Sequence, residues 1–153
     1  CFRAAYAYSS RAIDYRFRQG CTSCNSVCDR DKRAVVPIAR DVVRLGFNLC
    51  ATEGTARILR ASGINVDVVR RVSEPSPNIR DMIAHGDIAF MINIPYGHET
   101  RDDGYLLRGA AVRYGVTNES NLAGAQAVVM AMETVRETGL PIVALQDLPQ
   151  CEV

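Results

Sequence analysis

The sequence predicts an α/β protein with a Rossmann-like fold, in which a mainly parallel sheet lies between two layers of helices. Three observations support this prediction. Apolar, β-branched segments alternate with amphipathic helical segments between residues 47 and 145. The 153 residues suffice for one domain with a substantial core, but not comfortably for two. The composition, with 48% hydrophobic residues and a net charge of +1, is that of an ordinary globular protein.

The elements follow from periodicity and from the residues that end each segment. Residues 32–45 carry apolar side chains at helical spacing and stop at Gly46. Residues 88–94 form the most apolar strand, which is predicted to lie near the centre of the sheet. The other predicted strands are 47–51, 66–72, 116–118 and 142–145, and the other predicted helices are 55–61, 79–84, 102–114 and 122–137, with Asp102 as a helix cap.

The turn Thr52-Glu53-Gly54-Thr55 connects a predicted strand to a predicted helix. Backbone N–H groups at a helix N-terminus lack partners inside the helix and lie at the positive end of its dipole, so they attract anions. Gly54 allows close approach of a ligand, and Thr52 and Thr55 add hydroxyl donors. Two interpretations stay open: a phosphate site, or a helix that Thr52 or Glu53 merely caps.

Four polar residues are predicted at the carboxyl ends of strands: Thr52, Arg71, Asn93 and Thr117. Ligands of open parallel sheets bind beyond these ends, where consecutive strands bring their loops together. We therefore expect the four side chains to converge on one crevice.

Residues 1–26 differ from the rest and are predicted to be an atypical or poorly ordered leader, followed by one domain over residues 27–153. Cys21, Cys24 and Cys28 have a spacing that would suit a zinc or cluster site if Cys50 or a histidine completed the set. No second Cys-x2-Cys pair follows. Free thiols in a reducing cytosol are the alternative that we prefer, with no metal and a cytoplasmic location.

Charge and hydropathy also limit the classes of binding partner. The chain has 18 basic and 17 acidic residues, which gives no electrostatic case for binding nucleic acid or an anionic membrane. No apolar run approaches the roughly 20 residues of a spanning helix, and the N-terminus has no signal-peptide core.

Several motifs together resemble the methylglyoxal-synthase-like domain, and more narrowly the C-terminal allosteric domain of the carbamoyl-phosphate synthase large subunit. The resemblance covers residues 27–147. The motifs are Asp31-Lys32, Gly46-Phe47, Ala51-Thr52-Glu53-Gly54-Thr55-Ala56, Val72-Ser73-Glu74, Pro77-Asn78-Ile79, Ile92-Asn93, Asp103-Gly104-Tyr105 and the ending Leu140-Pro141-Ile142-Val143-Ala144-Leu145-Gln146-Asp147.

The resemblance implies a regulatory domain that binds a phosphorylated effector such as UMP or IMP. Its parent would be an ATP-dependent ligase, with Mg or Mn and a glutaminase small subunit, that makes carbamoyl phosphate for pyrimidine and arginine biosynthesis. No catalytic residue and no cofactor is expected in this domain. Matched to the family's motifs, the phosphate-binding positions are Lys32, Thr52 and Thr55, with Arg71 and Asn93 beside them.

Two departures and two alternative functions accompany this resemblance. Pro75-Ser76 replaces a family Gly-Arg, and Tyr96 and His98 replace a serine and a lysine, so a guanidinium, a hydroxyl and a cation are lost. A methylglyoxal synthase would need a carboxylate base and an imidazole, but Ser76 and Arg101 stand at those positions. The third class is a stand-alone nucleotide-binding module, whose helix 122–137 would dock a partner or simply pack on the sheet.

Overall fold

The computed structural model describes residues 21–96 and 98–138. Within these residues five strands alternate with five helices. In chain order the elements are β1 (Thr22–Val27), α1 (Val35–Arg44), β2 (Asn48–Thr52), α2 (Glu53–Ala61), β3 (Asp67–Val69), α3 (Ile79–His85), β4 (Ile88–Ile94), α4 (His98–Tyr114), β5 (Thr117–Glu119) and α5 (Leu122–Thr138).

The five strands form one sheet in the order β3-β2-β1-β4-β5. Every pairing is parallel. The chain builds outward from β1 to β3, then returns and adds β4 and β5 on the other side of β1. The junction between β1 and β4 is therefore the topological switch point, where α/β folds leave a crevice for ligands.

Two apolar cores, one on each face of the sheet, confirm the predicted three-layer arrangement. On one face α1, α2 and α5 cover a cluster that includes Val42, Leu59, Phe90 and Val129. On the other face α3 and α4 cover a cluster that includes Ile83, Met91 and Leu107.

Strand β1 is the element that the sequence analysis missed, and it crosses the predicted boundary at residue 27. Buried parallel strands are usually rich in Val, Ile and Leu, whereas β1 has the sequence Thr-Ser-Cys-Asn-Ser-Val. Strand β1 is the middle strand and β4 lies directly beside it, so the prediction that β4 lies near the centre of the sheet is confirmed. The predicted leader over residues 1–20 lies outside the described residues.

Helix α4 begins at His98, four residues before the predicted start. Asp102 therefore lies inside the helix and does not cap it. In α5, Ala125, Val129 and Met132 are buried, so this part of the helix packs on the sheet. The predicted strand 142–145 lies outside the described residues. Among the described helices, none combines the length and the apolar character needed to cross a membrane.

Candidate functional site

A pocket of about 400 Å³ opens at the carboxyl end of the sheet, where the chain leaves the adjacent strands β1 and β4. We call it the switch-point pocket. Its lining residues come from the carboxyl ends of β1, β2 and β4, from the loops that follow β1, β3 and β4, and from α4: Ser26, Val27, Cys28, Asp29, Arg30, Lys32, Thr52, Arg71, Asn93, Ile94, Pro95, Tyr96 and Asp103. Three of the four side chains expected to converge, Thr52, Arg71 and Asn93, line this pocket, and so does Lys32.

The N-terminus of α2 lies at this pocket. Thr52 ends β2 and is the N-cap of α2, with extended backbone angles of φ −63° and ψ 150°. Its side chain makes no capping hydrogen bond. The interpretation that Thr52 merely caps the helix through its hydroxyl is therefore wrong, and the first N–H groups of α2 have no cap from this side chain.

Lys32 lies directly over Gly54, the second residue of α2. A Cβ atom built on Gly54 would lie 2.5 Å from Lys32 Nζ and 3.4 Å from its Cε. The absence of a side chain at Gly54 is thus what allows the ammonium group to reach the helix N-terminus. Positive charge beside a positive helix end is unfavourable on its own, so the arrangement suits an anion that neutralises both.

Asp29 currently provides that negative charge, because its carboxylate pairs with Lys32 Nζ. The hydrogen bond from Lys32 and its charge are the largest causes that lower the pKa of Asp29. The carboxylate is 94% exposed, whereas the lysine side chain is only 15% exposed. Because the Asp29 carboxylate stays in water, solvent screens its attraction to the ammonium group, so a ligand anion can replace Asp29 at small cost.

Asn93 supplies a hydrogen-bonding group that the described structure does not use. It lies in β4, in register with Ser26 of β1, and is only 3% exposed. Its Nδ2 atom has no hydrogen-bond partner among the described residues. A buried donor without a partner is costly, and this one belongs to a side chain that lines the pocket.

A second depression, of about 700 Å³, shares four residues with the pocket: Asp29, Arg30, Lys32 and Arg71. We call it the basic groove. Its other lining residues are Arg33, Glu53, Gly54, Arg57 and Ile58. Five cationic side chains against two carboxylates give this face a positive potential, which attracts anions towards the N-terminus of α2.

Two predicted site residues lie elsewhere. Thr55 is fully buried, and its hydroxyl accepts from the Val27 N–H (3.2 Å) and donates to the Val27 carbonyl (3.3 Å). It therefore fastens β1 to α2 and does not line the pocket. Thr117 opens β5, in register with Phe90 in the middle of β4, so its predicted place at a strand's carboxyl end is wrong. Because β5 has only three residues, periodicity could not fix its ends.

The three cysteines of the candidate metal site, Cys21, Cys24 and Cys28, do not form a common site. Cys21 and Cys28 flank β1 at opposite ends, so at about 3.3 Å per residue they are roughly 20 Å apart. In the part of the chain that the structure describes, no group of three or more His, Cys, Asp or Glu could hold a metal ion. Cys24 instead lies in register with Cys50 of β2. A hydrogen bond to Cys50, followed by burial, raises the pKa of the Cys24 thiol well above its usual value.

The loop that contains Pro75 and Ser76, where the sequence departs from the family pattern, caps the N-terminus of α3. Ser76 Oγ donates to Asp81 Oδ2, and the Asn78 N–H donates to the same oxygen at 2.9 Å. Asn78 Oδ1 in turn accepts from the Arg80 N–H, which completes a capping box. Within this loop Ser76 is thus bonded to a helix-capping carboxylate. Asp103 lines the pocket and accepts a hydrogen bond from Ser73 Oγ at 3.0 Å.

The sequence analysis missed several residues of the pocket, above all Asp29, Arg30 and Tyr96. Asp29 and Arg30 follow β1, and they were missed because that strand was missed. A signal was nevertheless present: the polar pair follows Val27-Cys28 and immediately precedes Asp31-Lys32. Tyr96 was noticed only as a departure from the family pattern, not as a lining residue.

A larger cavity, of about 790 Å³, lies at the amino end of the sheet, around the starts of β2 and β3. Helices α1 and α2 end at Arg44 and Ala61, close to this end. Helix C-termini carry partial negative charge. The geometry therefore favours the smaller switch-point pocket for an anionic ligand.

Comparison with known proteins identifies the family. The model of the MGS-like domain family matches residues 34–118. The chain belongs to the MGS-like domain family. A crystal structure of ForH is 25% identical and superposes with a TM-score of 0.56, covering 80% of this chain and 84% of that one.

The similar curated proteins are carbamoyl phosphate synthase large chains. The C-terminal section of the large chain from Methanopyrus kandleri is 47% identical over 148 residues, which is 96% of this chain and 27% of that protein. The large chain from Methanothermobacter thermautotrophicus is 42% identical over 122 residues, which is 80% of this chain and 11% of that protein. Since the first alignment spans 148 of the 153 residues, it extends into the first 26.

Proposed function

We propose that this MGS-like domain is the regulatory part of a carbamoyl phosphate synthase large chain and binds a phosphorylated effector such as UMP or IMP. The observation that carries the proposal is the convergence of Thr52, Lys32 and Asn93 on the switch-point pocket. A helix N-terminus alone would be weak support. The unpartnered Asn93 amide is a second, independent indication of a ligand.

A phosphate monoester carries between one and two negative charges near neutral pH and several acceptor oxygens. The first N–H groups of α2 and the Lys32 ammonium are placed to meet these oxygens, and Arg71 adds a second cation at the rim. Asn93 Nδ2 then donates to an oxygen of the ligand's sugar or phosphate. In this arrangement Asp29 leaves Lys32 when the ligand binds, because the two anions compete for one ammonium group.

Regulation would act at a distance, since the chain spans 27% and 11% of the length of the two relatives described above. We propose that the remaining domains of a large chain, with a glutaminase small subunit, carry out the ATP-dependent synthesis with Mg or Mn in the cytoplasm. No residue of the switch-point pocket is assigned a role in that chemistry. The domain contributes the effector site and the surface that transmits its occupancy.

The test of this function is titration calorimetry of the chain with UMP and with IMP, in the wild type and in Lys32→Ala. We expect measurable binding that the substitution weakens about ten- to a hundredfold, because a hydrogen bond to a charged group contributes about 1.5–3 kcal/mol. Arg80→Ala is the matched control, since Arg80 is an exposed cation outside the pocket and the basic groove. Equal affinity in all three proteins would place the effector elsewhere and refute the site.

The regulatory role has a separate test in an intact carbamoyl phosphate synthase that contains this chain. There Lys32→Ala should raise the UMP or IMP concentration needed for a half-maximal response of carbamoyl phosphate synthesis by about ten- to a hundredfold, while the rate without effector stays unchanged. A changed basal rate with an intact response would contradict a purely regulatory role for the pocket.

A methylglyoxal-synthase-type lyase is the enzyme alternative. Asp29 and Asp103 are the two carboxylates among the residues that line the pocket, and since Asp29 pairs with Lys32, Asp103 is the one that such a reaction would recruit. We expect no release of inorganic phosphate from dihydroxyacetone phosphate. The Ser76 position holds no carboxylate, and its hydroxyl is bonded to Asp81. Turnover that disappears in Asp103→Asn would establish the lyase and overturn this expectation. Binding of nucleotides without any regulatory effect would instead favour a stand-alone module.

A further inference from the structure

An aromatic ring and a guanidinium lie together at the rim of the switch-point pocket. Tyr96 follows β4 by two residues, and Arg30 belongs to the turn between β1 and α1. The guanidinium carbon of Arg30 lies 5.0 Å from the centre of the Tyr96 ring, within the range of a cation–π contact. Both residues line the pocket, and Tyr96 keeps 66% of its surface exposed.

Arg30 is oriented from its other side. Its Nε and one terminal nitrogen each lie 3.4 Å from a carboxylate oxygen of Asp31, which is a two-pronged contact. Asp31 also accepts a hydrogen bond from the thiol of Cys28, at 3.2 Å. The guanidinium is thus directed by the same turn that carries Lys32, and the turn after β4 presents the ring to it.

The exposed ring of Tyr96, beside a site for a phosphate group, can stack on a planar part of a ligand. Aromatic rings and guanidinium planes provide surfaces on which planar nucleobases stack, whatever the base sequence. The volume of about 400 Å³ is at the small end of ligand sites, which range from about 300 to 1,000 Å³. A ligand whose phosphate is held at Lys32 and Thr52 has its remaining atoms directed along the same pocket, where Tyr96 forms part of the lining.

We propose that Tyr96, supported by Arg30, determines specificity at this site by stacking on a planar base. The pocket would then prefer nucleoside monophosphates to sugar phosphates that lack a base. This inference rests on the proposed effector function and deepens it by assigning the base-selective residue. Because the ring replaces a serine of the family pattern, the stacking contact at Tyr96 would be a property of this chain rather than of its family.

The experiment compares UMP, IMP and ribose 5-phosphate by calorimetry, using the whole chain as wild type, Tyr96→Ala and Tyr96→Phe. For the wild type we expect both nucleotides to bind about 5- to 100-fold more tightly than ribose 5-phosphate. Tyr96→Ala should remove that advantage and leave the affinity for ribose 5-phosphate within about twofold, whereas Tyr96→Phe should keep the advantage because it keeps the ring. IMP should lose more than UMP, since its base offers the larger stacking surface.

The outcomes separate the inference from the function on which it rests. If ribose 5-phosphate binds the wild type as tightly as the nucleotides, or if Tyr96→Ala weakens all three ligands equally, the stacking role is refuted and the phosphate site stands. If none of the three binds the wild type, both the effector function and the stacking role are refuted. A thermal melt of each variant checks folding, which a substitution at a side chain this exposed should leave intact.

Discussion

Gly54→Ala separates the stability of the domain from its affinity for phosphate. The new Cβ would lie 2.5 Å from Lys32 Nζ, whereas non-bonded atoms prefer about 3.5–4.0 Å. The end of a lysine side chain is flexible, so Nζ should move away by about 1 Å or more while the backbone stays in place. The ammonium group then loses its position over the helix N-terminus, and the cost in binding is that of one charged hydrogen bond.

That cost is about 1.5–3 kcal/mol, which corresponds to an affinity for UMP lower by about ten- to a hundredfold. Stability should change in the other direction or not at all, because alanine in a helix is favoured over glycine by up to about 1 kcal/mol. Gly109→Ala is the matched control: Gly109 lies in α4, and a Cβ there would meet nothing within 4 Å. Calorimetry and a thermal melt of the two variants measure both quantities. Unchanged affinity in a normally folded Gly54→Ala would refute the role of Lys32 over the helix N-terminus.

Three further predictions concern stability. Thr55→Val should lower the free energy of unfolding by about 1–3 kcal/mol, because valine leaves the buried Val27 N–H without its acceptor. Thr55→Ser should lower it by less, because serine keeps the hydroxyl. Equal denaturant midpoints for the two variants would contradict this prediction. Asn25→Val should raise the free energy of unfolding by about 1–3 kcal/mol, since neither amide atom of Asn25 has a hydrogen-bond partner among the described residues. A lower melting temperature of this variant would show that the amide is hydrogen-bonded. Hydrogen bonds from Ser76 and from a backbone N–H lower the pKa of Asp81 below its usual 3.8. Asp81 therefore binds fewer protons in the folded state than in the unfolded state. Its contribution to stability should be fully present above pH 3.8 and should be lost as the pH falls through the lower pKa of the folded state. Melts from about pH 5 to about pH 2 should therefore show a steeper loss in the wild type than in Asp81→Asn.

The parts of the fold that the sequence predicted are those in which local pattern and burial agree. Strand β4 and helix α3 were placed to within one residue, because an apolar run and an asparagine N-cap define their ends. Strand β1 was missed because its burial comes from its position in the sheet and not from its composition. Four of its six residues are Ser, Cys, Asn and Ser, whose side chains are short, and neither periodicity nor propensity distinguishes such a segment from a loop.

The candidate site was predicted in the same uneven way. The Thr-x-Gly-Thr turn predicted the position of the helix N-terminus, since hydroxyl and glycine residues at a strand-to-helix junction have few other uses. It did not show which of the two threonines lines the pocket. That depends on the helical rotation between Thr52, which precedes the first turn of α2, and Thr55, which lies within it and points towards β1. Side-chain direction of this kind appears only when the helix is docked on the sheet.

The carboxyl end of the sheet serves both packing and binding. Thr52 lines the pocket, whereas Thr55 packs against β1. Thr55 satisfies the backbone of Val27 at the end of β1, and so fixes where the following turn begins. That turn carries Asp29, Arg30 and Lys32, which line the switch-point pocket. Gly54, one residue before Thr55, leaves the space into which Lys32 folds back. The Thr55 hydroxyl, which does not line the pocket, therefore positions Lys32, which does. Gly54→Ala and Thr55→Val should both weaken the anion site, but by different routes. Gly54→Ala displaces Lys32 in a stable domain, whereas Thr55→Val loosens the strand from which the turn departs.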